Sequence, residues 1–575
     1  MTRVRMLFVS ISAGFAMIVS GLVYTQVIKG EYYRNRSERN RIVVIPLEAP
    51  RGRIIDRNGK VCVDNRISFD VSVVYKDAGD FKRLASFLSD TLGINRKKLL
   101  SAMEEAKKRP YAPTLLVEDI GKTNAIILEQ RRIDYPGLIV STRPKRDYMY
   151  SAAASGITGY IGMISRDELE RFRTYGYTVT DLIGRSGIER QYDSYLRGVQ
   201  GGMQVETDSL GRHRRILHVK EGEKGRSVTM TVDMDLQAFC DEIMGERNGS
   251  IIAMNPRTGE IYALVSRPGF DPNLFVRKDS VKQIKDILGN RSGGFPLMNR
   301  AIACSYPPGS VFKVVTATAA LEKGKLDTRD HLSCDGSYRL GKSVFRCWKE
   351  EGHGSQEITE AIKNSCNVFF YQTGILVGAD AISEYAGIYG YGKETGIDLP
   401  GETGGLVPTP AWKRAKLKEP WYAGDTVVYA IGQGYLLATP IQVVRMMAAV
   451  ANGGYLVTPY VVNKIDDISI GEPRREFTGI ADKSLDVIRE GLKRVVNDPH
   501  GTGMKAKIEG LTVAGKTGTA ENPRGKAHGW FSGFAPAEDP ALCVVVFVEY
   551  GGKGGLEASM LAKQVIVKSR DLGLL

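Results

Sequence analysis

A chain of 575 residues, 43% of them hydrophobic, is far longer than one ordinary domain and carries apolar material for at least two cores, which excludes disorder as the default. The formal charge of +14 is spread along the sequence without a basic tail. It accompanies no nucleic-acid motif or aromatic-interleaved basic patch, so it fits anionic surroundings and excludes nucleic-acid binding as the leading class.

Arg3 and Arg5 precede an uncharged, mostly apolar run from Met6 to Thr25. At a helical rise of about 1.5 Å per residue the run covers roughly 30 Å, the hydrocarbon thickness of a bilayer. It reads as an uncleaved anchor over residues 6–25. The competing reading, a cleaved signal peptide, needs a shorter run and a small-x-small site, and none stands before Gln26-Val27-Ile28-Lys29. The two arginines place residues 1–5 in the cytoplasm and translocate everything beyond the anchor.

A charged stretch from Glu31 to Arg41 then continues as a helix or stalk. Short alternating apolar runs follow, Arg53-Ile54-Ile55 and Phe69 to Tyr75, punctuated by Asp56-Arg57-Asn58-Gly59, whose Asn-Gly pair predicts a hairpin. Residues 26–225 therefore read as a strand-rich, irregular domain, with the polar segment from His213 to Arg226 as a linker. Past it, Ser227 to Val232 alternates like a strand, and Gly249 to Val265 reads as two strands around the turn Asn255-Pro256-Arg257-Thr258-Gly259. Helical patterns alternate with late strands such as Ala541 to Val548. Residues 226–575 thus form a mixed α and β domain whose sheet draws on both ends of its sequence.

The chemistry begins at Tyr306-Pro307-Pro308-Gly309-Ser310-Val311-Phe312-Lys313. Ser310 opens an apolar run, Val311 to Leu321, that predicts a buried helix ending at Gly324. Three residues along that helix, Lys313 lies beside the serine, and burial lowers an amine's pKa so that it can act as a base. The helix start offers free N–H groups to an oxyanion. Alone, Ser-x-x-Lys is a frequent accident, a capping serine with a snorkelling lysine. Ser365-Cys366-Asn367 before the apolar Val368 to Tyr371, and Lys516-Thr517-Gly518-Thr519 after Val513-Ala514-Gly515, complete in order the known motif set of penicillin-binding proteins and class A β-lactamases.

The chain resembles the class B penicillin-binding proteins over nearly its whole length. The resemblance extends to Arg51-Gly52-Arg53-Ile54-Ile55-Asp56-Arg57-Asn58-Gly59 and to Gly184-Arg185-Ser186-Gly187-Ile188-Glu189 leading to Leu196-Arg197-Gly198. One departure is Gly156 before Ile157-Thr158-Gly159-Tyr160, where the family commonly shows a histidine. The resemblance implies an elongated pedestal over 26–225 and, over 226–575, a β-lactamase-like transpeptidase domain with a central antiparallel sheet flanked by helices. It implies a peptidoglycan D,D-transpeptidase. Ser310 would be acylated by a stem peptide, Lys313 would be its base, and Ser365 and Lys516 would relay a proton to the leaving amine. Asn367 would hold the substrate amide, with Thr517, Gly518 and Thr519 forming the substrate-binding strand. β-Lactam antibiotics would acylate the same serine, and the partner would be a polytopic glycosyltransferase of the elongation machinery in the inner membrane. Alternatives are a division-specific transpeptidase, a D,D-carboxypeptidase or β-lactamase, and a β-lactam-binding scaffold or sensor.

Cys334, Cys347, His353 and Cys366 offer three thiolates and an imidazole, a full tetrahedral shell for a structural zinc, while catalysis needs no cofactor. The run Arg346-Cys347-Trp348-Lys349 with Gly352-His353-Gly354 resembles an insert of the elongation-specific subgroup of the family. A Cys334–Cys347 disulfide is the competing reading in an oxidising compartment. Cys62, Cys240, Cys304 and Cys543 stand in apolar surroundings and read as core residues.

Overall fold

A computed structural model describes all residues except 1, 35–41, 109, 180, 209–212, 278–279, 290–292, 523–524 and 553. The apolar N-terminal run forms the helix Thr2–Val23, continued by a π-helical turn at Tyr24–Ile28. The span Arg3–Ile28, with a mean hydropathy of 2.2, is long and apolar enough to cross a membrane. Leu7, Phe8, Phe15 and Met17 are all exposed, a surface suited to lipid. Residues 35–41 of the expected stalk lie outside the described residues.

The chain divides into two compact units. The first comprises residues 1–51, 65–145 and 197–225. In it the end of the long strand Val61–Val74 pairs antiparallel with Pro113–Val117. The helices Phe81–Leu92 and Arg96–Ala106 bury Leu84, Leu88, Leu99 and Met103 together with Val71, Val73 and Leu128. Asp80 caps the first helix by accepting from the Lys82 and Arg83 amides, and Gly93 ends it in the left-handed conformation.

A three-stranded antiparallel sheet in the order Ile42–Leu47, Gly201–Thr207, His213–Lys220 completes this unit. The reading of His213 to Arg226 as a linker is thereby corrected: its first eight residues are an edge strand. Charged side chains on that strand, including Arg215 paired with Glu206 at 2.6 Å, hide the apolar Ile216 and Val219 from a composition-based reading. Such charges suit an edge, where they discourage further strand pairing.

The second unit comprises residues 52–64, 146–196 and 226–575. The expected hairpin at Asn58-Gly59 joins Ile54–Ile55 to the start of Val61–Val74, and the fully buried Asp56 carboxylate accepts from the Asn58, Lys60 and Met234 amides. A five-stranded antiparallel sheet runs in the order Ile261–Arg267, Gly249–Met254, Leu542–Val548, His528–Ala535, Ala514–Ala520, so both ends of the domain sequence build it. All seven residues of Leu542–Val548 are buried. Because successive side chains point to opposite faces, both faces of the sheet are covered, and Pro440–Ala451 and Gly554–Asp571 are among the helices packed on it.

Two segments quoted for the family resemblance meet at a buried ion pair in this unit. Arg146 Nε donates to Glu189 Oε1 at 2.6 Å with both side chains fully buried, and Nη1 donates to the Gly52 carbonyl at 2.7 Å. Arg146→Met would take from the fully buried Glu189 carboxylate its charge partner at 2.6 Å. The expected loss of unfolding free energy is about 3–5 kcal/mol, most of which Arg146→Met with Glu189→Leu recovers. Chemical denaturation of both variants checks this, and equal losses would contradict the buried-charge account.

Candidate active site

Ser310 lies, half-buried, in a tight 3-10 turn, Gly309–Phe312, and the α-helix proper starts at Lys313 and runs to Glu322. The helix is buried from Lys313 to Ala320, as its apolar sequence predicts. Several bonds fix the turn. Trp530 Nε1 donates to the Pro307 carbonyl at 3.0 Å, the Gly309 amide donates to the Gly432 carbonyl at 2.9 Å, and Tyr306 exchanges backbone bonds of 2.9 Å with Ala438.

The turn packs directly on the edge strand Ala514–Ala520, and glycine on each side makes the approach possible. Gly309 has φ +56, and a Cβ there would stand 2.6 Å from the Thr519 carbonyl oxygen. A Cβ on Gly518 would stand 2.9 Å from the Pro308 carbonyl oxygen. Side chains at these positions would push the Lys516 strand away from the serine.

Lys313 is fully buried. Its Nζ donates to the Ser365 carbonyl at 2.8 Å and to Asn367 Oδ1 at 2.7 Å, with Ser365 Oγ at 3.4 Å, so all three acceptors belong to the second motif. The ring centroid of Phe370 lies 5.4 Å from the amine. Burial lowers its pKa to about 8, against the opposing pull of the Cys366 and Cys347 sulfurs. Ser365 follows the helix Ile358–Lys363 and holds φ +49, a left-handed conformation uncommon for a residue with a Cβ. Cys366 then caps the helix Asn367–Val377, its sulfur accepting from the Phe369 amide.

Lys516 is likewise fully buried and donates to the Thr517 carbonyl at 3.2 Å. Its pKa is pulled well below the ordinary lysine value, first by burial and then by the charge of Lys313, so the two amines share one water-poor region. Thr517 is buried, with its hydroxyl donating to that of Thr502 at 3.3 Å. Thr519 is exposed at the strand end, and its carbonyl accepts from Gln433 Nε2 at 3.2 Å. The three motifs, widely separated in sequence, thus converge. Sequence reasoning missed Phe370, Thr502 and Gln433; the Gly432-Gln433-Gly434 triplet is a turn signal that could have marked the last.

The four metal-ligand candidates also come together. Their ligating atoms all lie within 4.8 Å of one another, with His353 Nδ1 3.6 Å from Cys334 Sγ and 3.5 Å from Cys347 Sγ, and Cys347 Sγ 4.0 Å from Cys366 Sγ. The short pairing of Leu332–Cys334 with Gly354–Gln356 brings the ends of the insert together. All seven cysteines are free thiols, so the Cys334–Cys347 disulfide is not formed. Cys62, Cys240 and Cys543 are buried as expected, whereas Cys304 is half-buried.

Two amines kept from water beside a serine, on a sheet sandwiched by helices, are the equipment of a serine acyl-transfer enzyme. Residues 249–567 match the penicillin binding protein transpeptidase domain, and residues 46–230 match the penicillin-binding protein dimerisation domain. Peptidoglycan D,D-transpeptidase MrdA of Haemophilus influenzae is 31% identical over 584 residues, covering 96% of this chain and 89% of that one. MrdA of Acinetobacter baumannii is 32% identical over 575 residues, covering 96% and 84%. Among solved structures, Helicobacter pylori penicillin-binding protein (PBP2) in complex with MreC superposes with a TM-score of 0.81 at 28% identity, covering 93% of this chain and 100% of that one. The chain belongs to the class B penicillin-binding proteins and is similar, within them, to penicillin-binding protein 2.

Proposed function

We propose that this chain is the elongation-type peptidoglycan D,D-transpeptidase of its cell, with Ser310 as nucleophile. The observation that carries the mechanism is the Lys313 amine, fully buried and held between Ser365 and Asn367. With a pKa of about 8, roughly a tenth of it is neutral at pH 7, a small penalty for a base that must accept a proton. Lys313 takes the Ser310 proton as the oxygen attacks the penultimate D-Ala carbonyl of a stem peptide. The backbone N–H groups of Ser310 and Thr519 receive the oxyanion. Ser365 and Lys516 pass a proton to the departing terminal D-Ala, and an amine from a neighbouring stem peptide then attacks the ester. Asn367 holds the substrate amide, Thr517 and Thr519 its carboxylate, and Gly518 keeps the strand close to the serine. A β-lactam enters the same path because its strained amide imitates the D-Ala-D-Ala bond.

The apolar helix anchors the chain in the inner membrane, with Arg3 and Arg5 on the cytoplasmic side and both folded units across it. Helicobacter pylori PBP2 has been solved with MreC, and a similar chain lies in a peptidoglycan synthase complex that coordinates polymerization and crosslinking, with a TM-score of 0.75 at 30% identity. That likeness supports a membrane glycosyltransferase and the elongation machinery as partners. The division-specific, carboxypeptidase and scaffold alternatives are not favoured, since the similar curated proteins include MrdA transpeptidases at 31% and 32% identity over 96% of this chain.

Cys334, Cys347 and Cys366 through sulfur, and His353 through Nδ1, would hold a structural zinc. The fit is in the spacing: tetrahedral bonds of about 2.3 Å to sulfur and 2.0–2.1 Å to nitrogen put ligand atoms roughly 3.5–3.8 Å apart, close to the separations of 3.5, 3.6 and 4.0 Å here. Bound there, zinc would neutralise the thiolates and tie the insert to Cys366, next to Ser365 and Asn367.

Three measurements test these readings. A fluorescent penicillin is expected to label the wild type stably and to leave a folded Ser310→Ala variant unlabelled; rapid turnover of the label would favour a hydrolase. Because the working form of Lys313 is deprotonated, the second-order acylation rate should climb about tenfold per pH unit below roughly pH 8 and level off above it. A profile flat from pH 6 to 9 would remove Lys313 as the base. Elemental analysis of untagged protein should find about one zinc per chain, lost in Cys366→Ser together with thermal stability; zinc-free protein with an oxidised Cys334–Cys347 pair would refute the metal site.

A further inference from the structure

We propose that Trp348 is a positioning residue for the catalytic centre: its indole N–H fixes the Ser365 carbonyl that receives the Lys313 amine. The inference rests on the acyl-transfer reading above and adds to it a residue outside the three motifs.

Trp348 follows Cys347 in the insert and is 57% exposed. Its Nε1 donates to the Asn364 carbonyl at 3.1 Å and to the Ser365 carbonyl at 3.2 Å. The ring meets His353 edge to face, with centroids 5.1 Å apart. These two carbonyls stand just past the end of the helix Ile358–Lys363, where the helix supplies no N–H partners. A carbonyl oxygen has two acceptor sites. On Ser365 one site takes Lys313 Nζ at 2.8 Å, and the indole takes the other.

The position of that oxygen matters because Ser365 is not in a relaxed conformation. Its φ of +49 is disfavoured for a side chain with a Cβ, so the peptide persists only while its surroundings over-determine it. The Ser365 amide is held by the Ile362 carbonyl at 3.2 Å and the Cys366 amide by the Ala361 carbonyl at 3.1 Å, which secures the nitrogens. The carbonyl of Ser365 itself is secured by Lys313 and Trp348. Removing the indole donor leaves the Lys313 amine, among the described residues, as the remaining clamp on that carbonyl. The amine and the Ser365 hydroxyl then sample wider positions, and near-attack geometry becomes rarer while substrate contacts stay in place.

The other interactions of the insert explain why a structural role alone is a poor account of Trp348. Gln372 Nε2 donates to the Ser333 carbonyl at 2.9 Å and the Tyr371 hydroxyl to the Arg346 carbonyl at 3.3 Å, so the helix Asn367–Val377 is already attached to the insert at two points ahead of Trp348. The indole N–H is directed at the catalytic segment.

The test replaces Trp348 in the full-length, detergent-solubilised chain with β-(3-benzothienyl)alanine, which keeps the shape of the side chain and exchanges N–H for sulfur. Fluorescent-penicillin acylation is resolved into the noncovalent constant and the acylation rate constant. The rate constant is expected to fall about fivefold to tenfold, the loss of one hydrogen bond to a carbonyl, with the noncovalent constant and the melting temperature unchanged. Trp348→Phe should behave alike. An unchanged acylation rate constant would overturn the proposal, as would a loss confined to the noncovalent constant or one that tracks a lower melting temperature. Wild-type protein that fails to label at all would instead defeat the acyl-transfer reading, independently of Trp348.

Discussion

Everything in the catalytic unit is arranged around an amine that has been taken out of water. Lys313 has no exposed surface, and an ammonium in that position would be expensive unless its protons were received by oriented oxygens. The Ser365 carbonyl and Asn367 Oδ1 supply two such acceptors within 2.8 Å. Burial lowers the pKa of the amine while the Cys366 and Cys347 sulfurs pull it back up, and the balance leaves it at about 8. A second buried amine, Lys516, adds like-charge repulsion, so protonating both at once is disfavoured. The two buried amines therefore favour holding few protons between them.

That electrostatic state depends on backbone precision. The Lys516 strand reaches the serine turn only because Gly309 and Gly518 present no Cβ at contacts of 2.6 and 2.9 Å to carbonyl oxygens. The strand is in turn held in register by the sheet, Lys516 opposite Ser532 and Gly518 opposite Trp530, whose indole reaches back to the Pro307 carbonyl. A fully buried central strand, Leu542–Val548, gives this sheet a core on both faces. Rigidity of the scaffold and placement of the amines are consequences of the same packing.

Away from the chemistry, buried polar groups recur as fasteners. Arg146 and Glu189 join the Gly52 and Gly184 to Glu189 segments, and Asp56 organises the hairpin that carries Asn58 and Gly59 through three amide bonds. In the insert, Cys366 has a double position, one of four clustered ligand atoms and the cap of the helix that begins with Asn367. Each of these groups also has a partner far along the chain, Gly52 for Arg146, Met234 for Asp56 and Cys347 for Cys366, so part of what these residues do is tertiary.

Read in one dimension, the chain already showed its apolar N-terminal helix, its hairpin at Asn58-Gly59, the buried helix after Ser310 and the sheet drawn from both ends of its C-terminal region. These are statements about local pattern: apolar length, turn chemistry and periodicity survive in the sequence. The strand His213–Lys220 did not, because its charged edge reads as loop until a partner strand is present. Nor did the chemical environment of the lysines. The spacing of Ser310 and Lys313 sets them one turn apart, but that the amine turns to Ser365 and Asn367, that Phe370 lies against it, and that Trp348 and Gln433 reach the two catalytic backbone segments are decided by elements brought together from far along the chain. Residue types and order determine which groups can react; only folding removes the water between them, and it is the absence of that water that lowers the pKa of the two amines.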